Sequence, residues 1–169
     1  MYNIIDPRVY SMIRPTVEAD TETLASMAEG TGVFKPREID ALRGLLDYLH
    51  GDGFANGHRA VTLERDGTPA GFAYFAPTDM TEGTWHLYWI FVGKGVQARG
   101  LGAELLAIVE GEVAGAGGRL LLIETSSLAS YGPTRKFYLK NGYEHEATIR
   151  DFYAAGDDQV VFRKLLPPR

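Results

Sequence analysis

An apolar run from Leu87 to Val92 is followed by Gln97-Ala98-Arg99-Gly100-Leu101-Gly102-Ala103 and then by apolar residues at helical spacing: Leu101, Leu105, Ile108, Val109 and Val113. The order is strand, glycine-containing turn, helix. Where a helix opens in this way its first backbone N–H groups have no partner within the helix, and the helix dipole adds partial positive charge. Glycine lets the main chain approach a ligand closely, so the turn reads as a cradle for a pyrophosphate. Glycine pairs also serve tight strand-to-helix packing, and that alternative stays open here. A dinucleotide fingerprint needs a third glycine where Leu105 stands, and a Walker loop needs a Gly-Lys-Ser/Thr run that is absent.

The rest of the chain divides into short elements. Tyr10 to Arg14 reads as a first strand, and Pro15 to Asp20 leads into a helix with Leu24, Met27 and Ala28 on its apolar face. A second helix starts at Pro36, carries Ile39, Leu42, Leu45, Leu46 and Leu49, and stops near Gly51. Ala60 to Glu64 and Ala70 to Phe75 are strands joined by Asp66-Gly67, a hairpin signal. Trp85 to Val92 is the next strand and the helix from Leu101 is the third. Gly115-Ala116-Gly117-Gly118 ends it before the strand Arg119 to Thr125, whose unbroken apolar run Leu120 to Ile123 predicts a central strand reached by a helical crossover and paired in parallel. Pro133 starts a fourth helix that stops at Asn141-Gly142, and Tyr143 to Phe152 with Gln159 to Leu165 form a closing antiparallel pair. No repeat or low-complexity tract appears, and residues 1–169 are expected to form a single domain.

Composition removes several classes of function. With no cysteine, disulfides, Cys-based zinc sites and a thiol nucleophile are excluded. His50, His58 and His145 show no metal-ligand spacing, so no metal is expected. No apolar stretch approaches the roughly 20 residues of a membrane span, and Met1 to Asp6 lack the pattern of a signal peptide, so a cytoplasmic protein is expected. A net charge of −5 offers nucleic acid no attraction and mildly favours cationic acceptors such as amines.

Gln97, Gly100, Gly102 and Ala103, placed after a strand ending in Val92, resemble the coenzyme A signature of the GNAT N-acetyltransferase superfamily, Gln/Arg-x-x-Gly-x-Gly/Ala. Tyr131-Gly-Pro-Thr-Arg-Lys-Phe-Tyr138-Leu-Lys-Asn-Gly142-Tyr143 is similar to the family's Asn…Tyr-x-x-x-Gly-Phe segment, with Tyr131 where many members carry asparagine. Glu144 to Phe162, with Asp151-Phe152-Tyr153 and Asp157-Asp158, looks like the end of the branch that acetylates protein N-termini, from which it departs at Phe152 and at Asp157-Asp158. The resemblance covers about Met12 to Leu166. It implies an α/β (α+β) fold with a mixed, mostly antiparallel twisted sheet of six to seven strands flanked by about four helices.

The resemblance also implies a chemistry. Acetyl-CoA is the expected co-substrate and a primary amine the expected acceptor. Main-chain groups of Ile90, Phe91 and Val92 would bind the pantetheine arm and polarise the thioester carbonyl. Backbone N–H groups from Gln97 through Ala98, Arg99, Gly100, Leu101 and Gly102 to Ala103 would hold the pyrophosphate, and Tyr131 stands at a further coenzyme A position. Tyr138, four residues before Gly142, occupies the family's general-acid position, where a phenol near pKa 10 protonates a departing thiolate. For the base, His86 and Glu124 are the candidates, and a reaction with no dedicated base also stays open. Three readings follow: an N-acetyltransferase acting on a small or amino-acid-like amine, a protein N-terminal or lysine acetyltransferase, and a non-catalytic acyl-CoA sensor. An exposed edge strand near the C-terminus leaves a homodimer open.

Overall fold

The computed structural model describes residues 3–6 and 9–167, with side chains described for 12–96 and 100–167. Eight strands and four α-helices follow in the order β1 (Asn3–Asp6), β2 (Val9–Pro15), α1 (Thr21–Gly30), α2 (Pro36–Tyr48), β3 (Arg59–Arg65), β4 (Thr68–Pro77), β5 (Thr84–Val92), α3 (Leu101–Gly115), β6 (Leu120–Ser126), α4 (Gly132–Lys140), β7 (Glu144–Ala154) and β8 (Asp157–Leu165). Seven of the strands, β2 to β8, are those expected from the sequence, and β1 adds a short eighth. The chain forms two compact units, residues 1–76 with 89–109 and residues 77–88 with 110–169.

In the first unit β1, β2, β3 and β4 pair in that order, each antiparallel to the next. Asp66 and Gly67 join β3 to β4 with φ of 50° and 78°, the two left-handed residues that a type I′ hairpin needs. Leu24, Ala25 and Ala28 of α1 and Ile39, Leu42 and Leu46 of α2 are buried in one cluster with Phe72 and Tyr74 of β4 and Phe91 of β5. Pro36 opens α2, and Glu38 closes its first turn by accepting a hydrogen bond from the Lys35 N–H at 2.6 Å.

A half-buried ion pair ties β2 to the start of α1. Arg14 donates through both terminal nitrogens to Asp20, at 2.7 and 2.9 Å, and through Nε to Glu64 at 2.6 Å. Burial alone would push the Asp20 carboxyl up, but Arg14 and the Val17 N–H outweigh it and hold the carboxyl below its usual range.

In the second unit the leading half of β5 pairs with β6 in parallel from Thr84↔Leu120 to Leu87↔Ile123. This is the parallel pairing expected from the Leu120–Ile123 run. Leu121 and Ile123 on one face are fully buried, whereas Leu120 and Leu122 on the other are only half-buried. β6 also pairs antiparallel with β8, and β8 with β7, which is exposed along its whole length. Tyr138 of α4, Tyr143 and Phe162 of β8 pack their rings together, with centroids within 5.8 Å. Gly142, at φ 84°, turns the chain out of α4, as the Asn141-Gly142 pair predicted.

Gly118 decides how closely α3 and β5 meet where β6 begins. A Cβ there would lie 2.3 Å from Val113 Cγ1 and 2.8 Å from Trp85 Cδ1. Gly118→Ala is therefore expected to cost about 1–3 kcal/mol through overpacking, read as a lower denaturation midpoint at unchanged m-value. An unchanged midpoint would show that the neighbours yield freely. For Asp20, whose folded carboxyl is depressed, the stabilisation is present above the unfolded pKa and lost as pH falls through the folded value. Asp20→Asn should accordingly flatten the acid side of the stability-against-pH curve; an acid limb identical to that of the parent would remove Asp20 from this role.

Candidate active site

The expected turn after β5 contains an extra element. Gly93 N–H donates to Ala70 O at 2.9 Å, and Lys94–Arg99 then form a 3-10 helix instead of an open loop. Close approach explains how the end of β5 is seated, since a Cβ on Gly71 would lie 3.0 Å from Val92 Cγ1 and 3.2 Å from the Phe91 carbonyl. Gly100 follows at φ 75° and ψ 4°, in the left-handed region that favours glycine. The first bond into α3 runs from Glu104 N–H to Gly100 O at 3.1 Å, so the N–H groups of Leu101, Gly102 and Ala103 precede the helical ladder. The residues present fit a pyrophosphate: a positive-φ glycine, a helix of 15 residues behind it, and open space around the Gly100 Cα. The side chains of Gln97, Ala98 and Arg99 lie outside those described. Phe91 and Val92 are buried and Ile90 is half-buried, so these three can offer a ligand main-chain groups more readily than side chains.

His86 and Glu124, alternative candidates by sequence, are brought together. Register is the cause: His86 lies opposite Leu122, and Glu124, two residues on, projects from the same face of β6. His86 Nε2 is 3.5 Å from Glu124 Oε1. On the other side of the ring, His86 Nδ1 is 2.7 Å from Thr78 Oγ1. Glu124 Oε2 accepts a hydrogen bond from Gln159 Nε2 at 3.0 Å, across the β6–β8 ladder. Tyr88 stacks on His86 with ring centroids 5.5 Å apart. Burial first, and then the negative charges of Glu124 and Asp79, push the Tyr88 phenol above its ordinary value. Sequence reasoning missed Thr78 and Gln159, because neither belongs to a motif and each is recruited by strand register.

The parallel ladder stops at Leu87↔Ile123, although β6 runs on to Ser126. From Glu124 onward β6 keeps its antiparallel partner β8. The carboxylate candidate thus sits at the first residue of β6 beyond the parallel pairing.

Tyr138 is 5% exposed, and burial pushes its phenol well above the ordinary tyrosine range. Among the described residues its hydroxyl has no hydrogen-bond partner, and its ring is held by Phe137, Tyr143 and Phe162. Tyr131 ends a 3-10 turn before α4, with its N–H bonded to Leu128 O at 3.0 Å. Phe152 and Tyr153, 53% and 40% exposed, meet edge-to-face beyond Asp151, which sits at φ 54° where the β7–β8 register shifts. Asp157 and Asp158 serve as tethers here. Asp157 accepts a short hydrogen bond from the Ser126 hydroxyl, and the Asp158 N–H donates to Ser127 Oγ at 2.8 Å. Among the described residues no group of three or more histidines or carboxylates is arranged to hold a metal ion, and no helix is long and apolar enough to cross a membrane.

The profile of the acetyltransferase (GNAT) domain matches residues 56–145, more than half of the chain. A solved GNAT-family protein from Desulfovibrio desulfuricans is 40% identical, with 93% of this chain and 99% of that one aligned at a TM-score of 0.89. The chain belongs to the GNAT acetyltransferase family. Two further structures share the fold of this GNAT protein at 18% identity. An aminoglycoside 6'-N-acetyltransferase complexed with coenzyme A aligns over 94% of this chain and 98% of its own at TM-score 0.76. The ribosomal-protein-S18-alanine N-acetyltransferase of Escherichia coli aligns over 94% and 96% at TM-score 0.75. No sequence among curated proteins matches significantly.

The Glu124 carboxylate raises the Tyr88 phenol because a phenolate beside it would be repelled. Glu124→Gln should therefore lower the Tyr88 pKa. Ultraviolet phenolate titration, with Tyr88→Phe to assign the signal, measures the shift, and an unmoved titration would mean that the carboxylate does not act on the phenol.

Proposed function

We propose that this GNAT protein is an acetyl-CoA-dependent N-acetyltransferase that acetylates a primary amine of a small or amino-acid-like acceptor, by direct attack in a ternary complex. The observation that carries the reading is the His86–Glu124 pair, a proton-accepting group placed at the end of the parallel ladder. A sensor that only binds an acyl-CoA has no use for it.

The bound thioester supplies an activated acyl group and a thiol leaving group. This chain's residues do the rest. The N–H groups of Leu101, Gly102 and Ala103, ahead of the α3 ladder, bind the pyrophosphate, aided by the dipole of α3. Main-chain groups of Ile90, Phe91 and Val92 hold the pantetheine arm and stabilise charge on the carbonyl oxygen, and Tyr131 adds a contact to the cofactor. Glu124, with His86 behind it, takes a proton from the acceptor ammonium so that a neutral amine attacks. Tyr138 gives a hydrogen bond to the departing sulfur. Its raised pKa keeps the phenol protonated throughout the working pH range, and makes it a donor that yields its proton only as negative charge develops.

A second reading, a protein N-terminal or lysine acetyltransferase, is favoured by the exposed Phe152 and Tyr153, which offer a peptide apolar contact. The outer edge of β7, eleven exposed residues, supports a homodimer formed by strand pairing.

Thiol release from acetyl-CoA, scanned over small amines, amino acids and short peptides, tests the function, with coenzyme A affinity measured by calorimetry. Release with small amines supports the first reading and release with peptides alone the second. Coenzyme A binding without release from any acceptor would point to the sensor. Tyr138→Phe removes a hydroxyl that supports no packing, so folding and coenzyme A affinity should persist while kcat falls about 10²–10⁴-fold. An unchanged kcat would remove Tyr138 from its role.

A further inference from the structure

We propose that Thr78 is a positioning residue: its hydroxyl donates to His86 Nδ1, fixes the Nε2–H tautomer toward Glu124, and so makes Glu124, not His86, the group that takes the acceptor's proton. The inference rests on the acetyltransferase reading for its kinetic part only.

A neutral imidazole carries one N–H and one lone pair, and each ring nitrogen of His86 has a neighbour. Nδ1 is 2.7 Å from Thr78 Oγ1, a hydroxyl able to donate or accept. Nε2 is 3.5 Å from Glu124 Oε1, which as a carboxylate only accepts. If Nδ1 carried the hydrogen, the Nε2 lone pair would face the carboxylate oxygen and the two would repel. With the hydrogen on Nε2, the ring presents an N–H and not a lone pair on the side nearer the carboxylate, and Thr78 O–H satisfies Nδ1.

The remaining neighbours agree with this arrangement. Gln159 donates to Glu124 Oε2 from β8 at 3.0 Å. Tyr88 of β5 stacks on the imidazole face, and the Glu124 and Asp79 charges act on its phenol. Thr78 itself is well held. Its N–H donates to Thr84 O at 2.8 Å, its carbonyl accepts from Thr81 Oγ1 at 2.7 Å, and the ring of Pro77 precedes it.

The consequence is chemical. Both nitrogens of neutral His86 are engaged, so the ring has no free lone pair for an incoming ammonium. A carboxylate has about four acceptor positions. Gln159 occupies one of those on Glu124 and leaves others free. In the step assigned here an N–H bond of the acceptor ammonium breaks, the proton moves to a Glu124 oxygen, and the electron pair stays on the amine nitrogen that attacks. Glu124, with a side chain 37% exposed, returns the proton to water.

Thr78→Val removes the hydroxyl at similar volume, and Thr78→Ser keeps it. Imidazole ¹⁵N NMR on the free protein should show His86 as the Nε2–H tautomer in the parent and in Thr78→Ser, and a mixture in Thr78→Val. In steady-state kinetics kcat of Thr78→Val should fall about tenfold, the equivalent of one hydrogen bond near 1.4 kcal/mol, with KM for acetyl-CoA unchanged and Thr78→Ser restoring the rate. Glu124→Gln should cost more than His86→Gln. A parent spectrum showing Nδ1–H, an unaltered tautomer in Thr78→Val, or a greater loss from His86→Gln overturns the proposal. The parent spectrum decides the tautomer even if Thr78→Val fails to fold. It also needs no substrate, so a protein that turns over no amine would defeat the acetyltransferase reading and leave the tautomer answered separately.

Discussion

The four-pair parallel ladder between β5 and β6 is the constraint on which the candidate chemistry depends. Side chains alternate along a strand, so a slip of one residue would move Glu124 to the face that carries Leu121 and Ile123, both fully buried. An unpaired carboxylate is not tolerated there, and the apolar face would lose two of its packed residues. Register is thus held by burial on one face, and the polar group on the other face inherits its position. His86 is fixed by the same logic from β5, where Trp85 and Leu87 are buried and His86 with Tyr88 take the opposite face.

Polar tethers extend this rigidity through the second unit. Arg135 of α4 donates to Ser126 O at 2.7 Å and Leu128 O at 3.0 Å, which closes the end of β6 onto the helix that carries Tyr138. Lys164 donates to both oxygens of Glu110 at 2.9 Å and to Asn141 O, while the Tyr143 hydroxyl donates to the same carboxylate. These contacts join α3, the end of α4 and β8 around the aromatic cluster.

Strand and helix identity was legible wherever period and punctuation agreed. Pro36 and Asn141-Gly142 marked helix ends, Asp66-Gly67 marked the hairpin, and the Leu120–Ile123 run marked the parallel strand, all for local steric reasons. Short segments without periodicity were less legible: β1, the 3-10 helix Lys94–Arg99, and a single π turn over Leu49–Gly53 that follows α2. Each is one or two turns or bonds long, and neighbouring structure selects it more than its own residues do. Asp157 and Asp158 were legible as a motif but not in their use, since a carboxylate or amide at a hairpin becomes a tether only once Ser126 and Ser127 lie opposite.

By itself the sequence determined the family, through a glycine pattern whose positive φ and helix-opening geometry few other residues can supply, and it determined the kinds of chemical group available: a phenol, an imidazole and a carboxylate. Only the tertiary structure decided that His86 and Glu124 form one assembly instead of two competing candidates, and that Thr78 and Gln159 complete it. The reason is physical. Local steric preference acts over a few residues, whereas these four side chains come from a loop and three strands and meet through a pairing register that no local signal encodes.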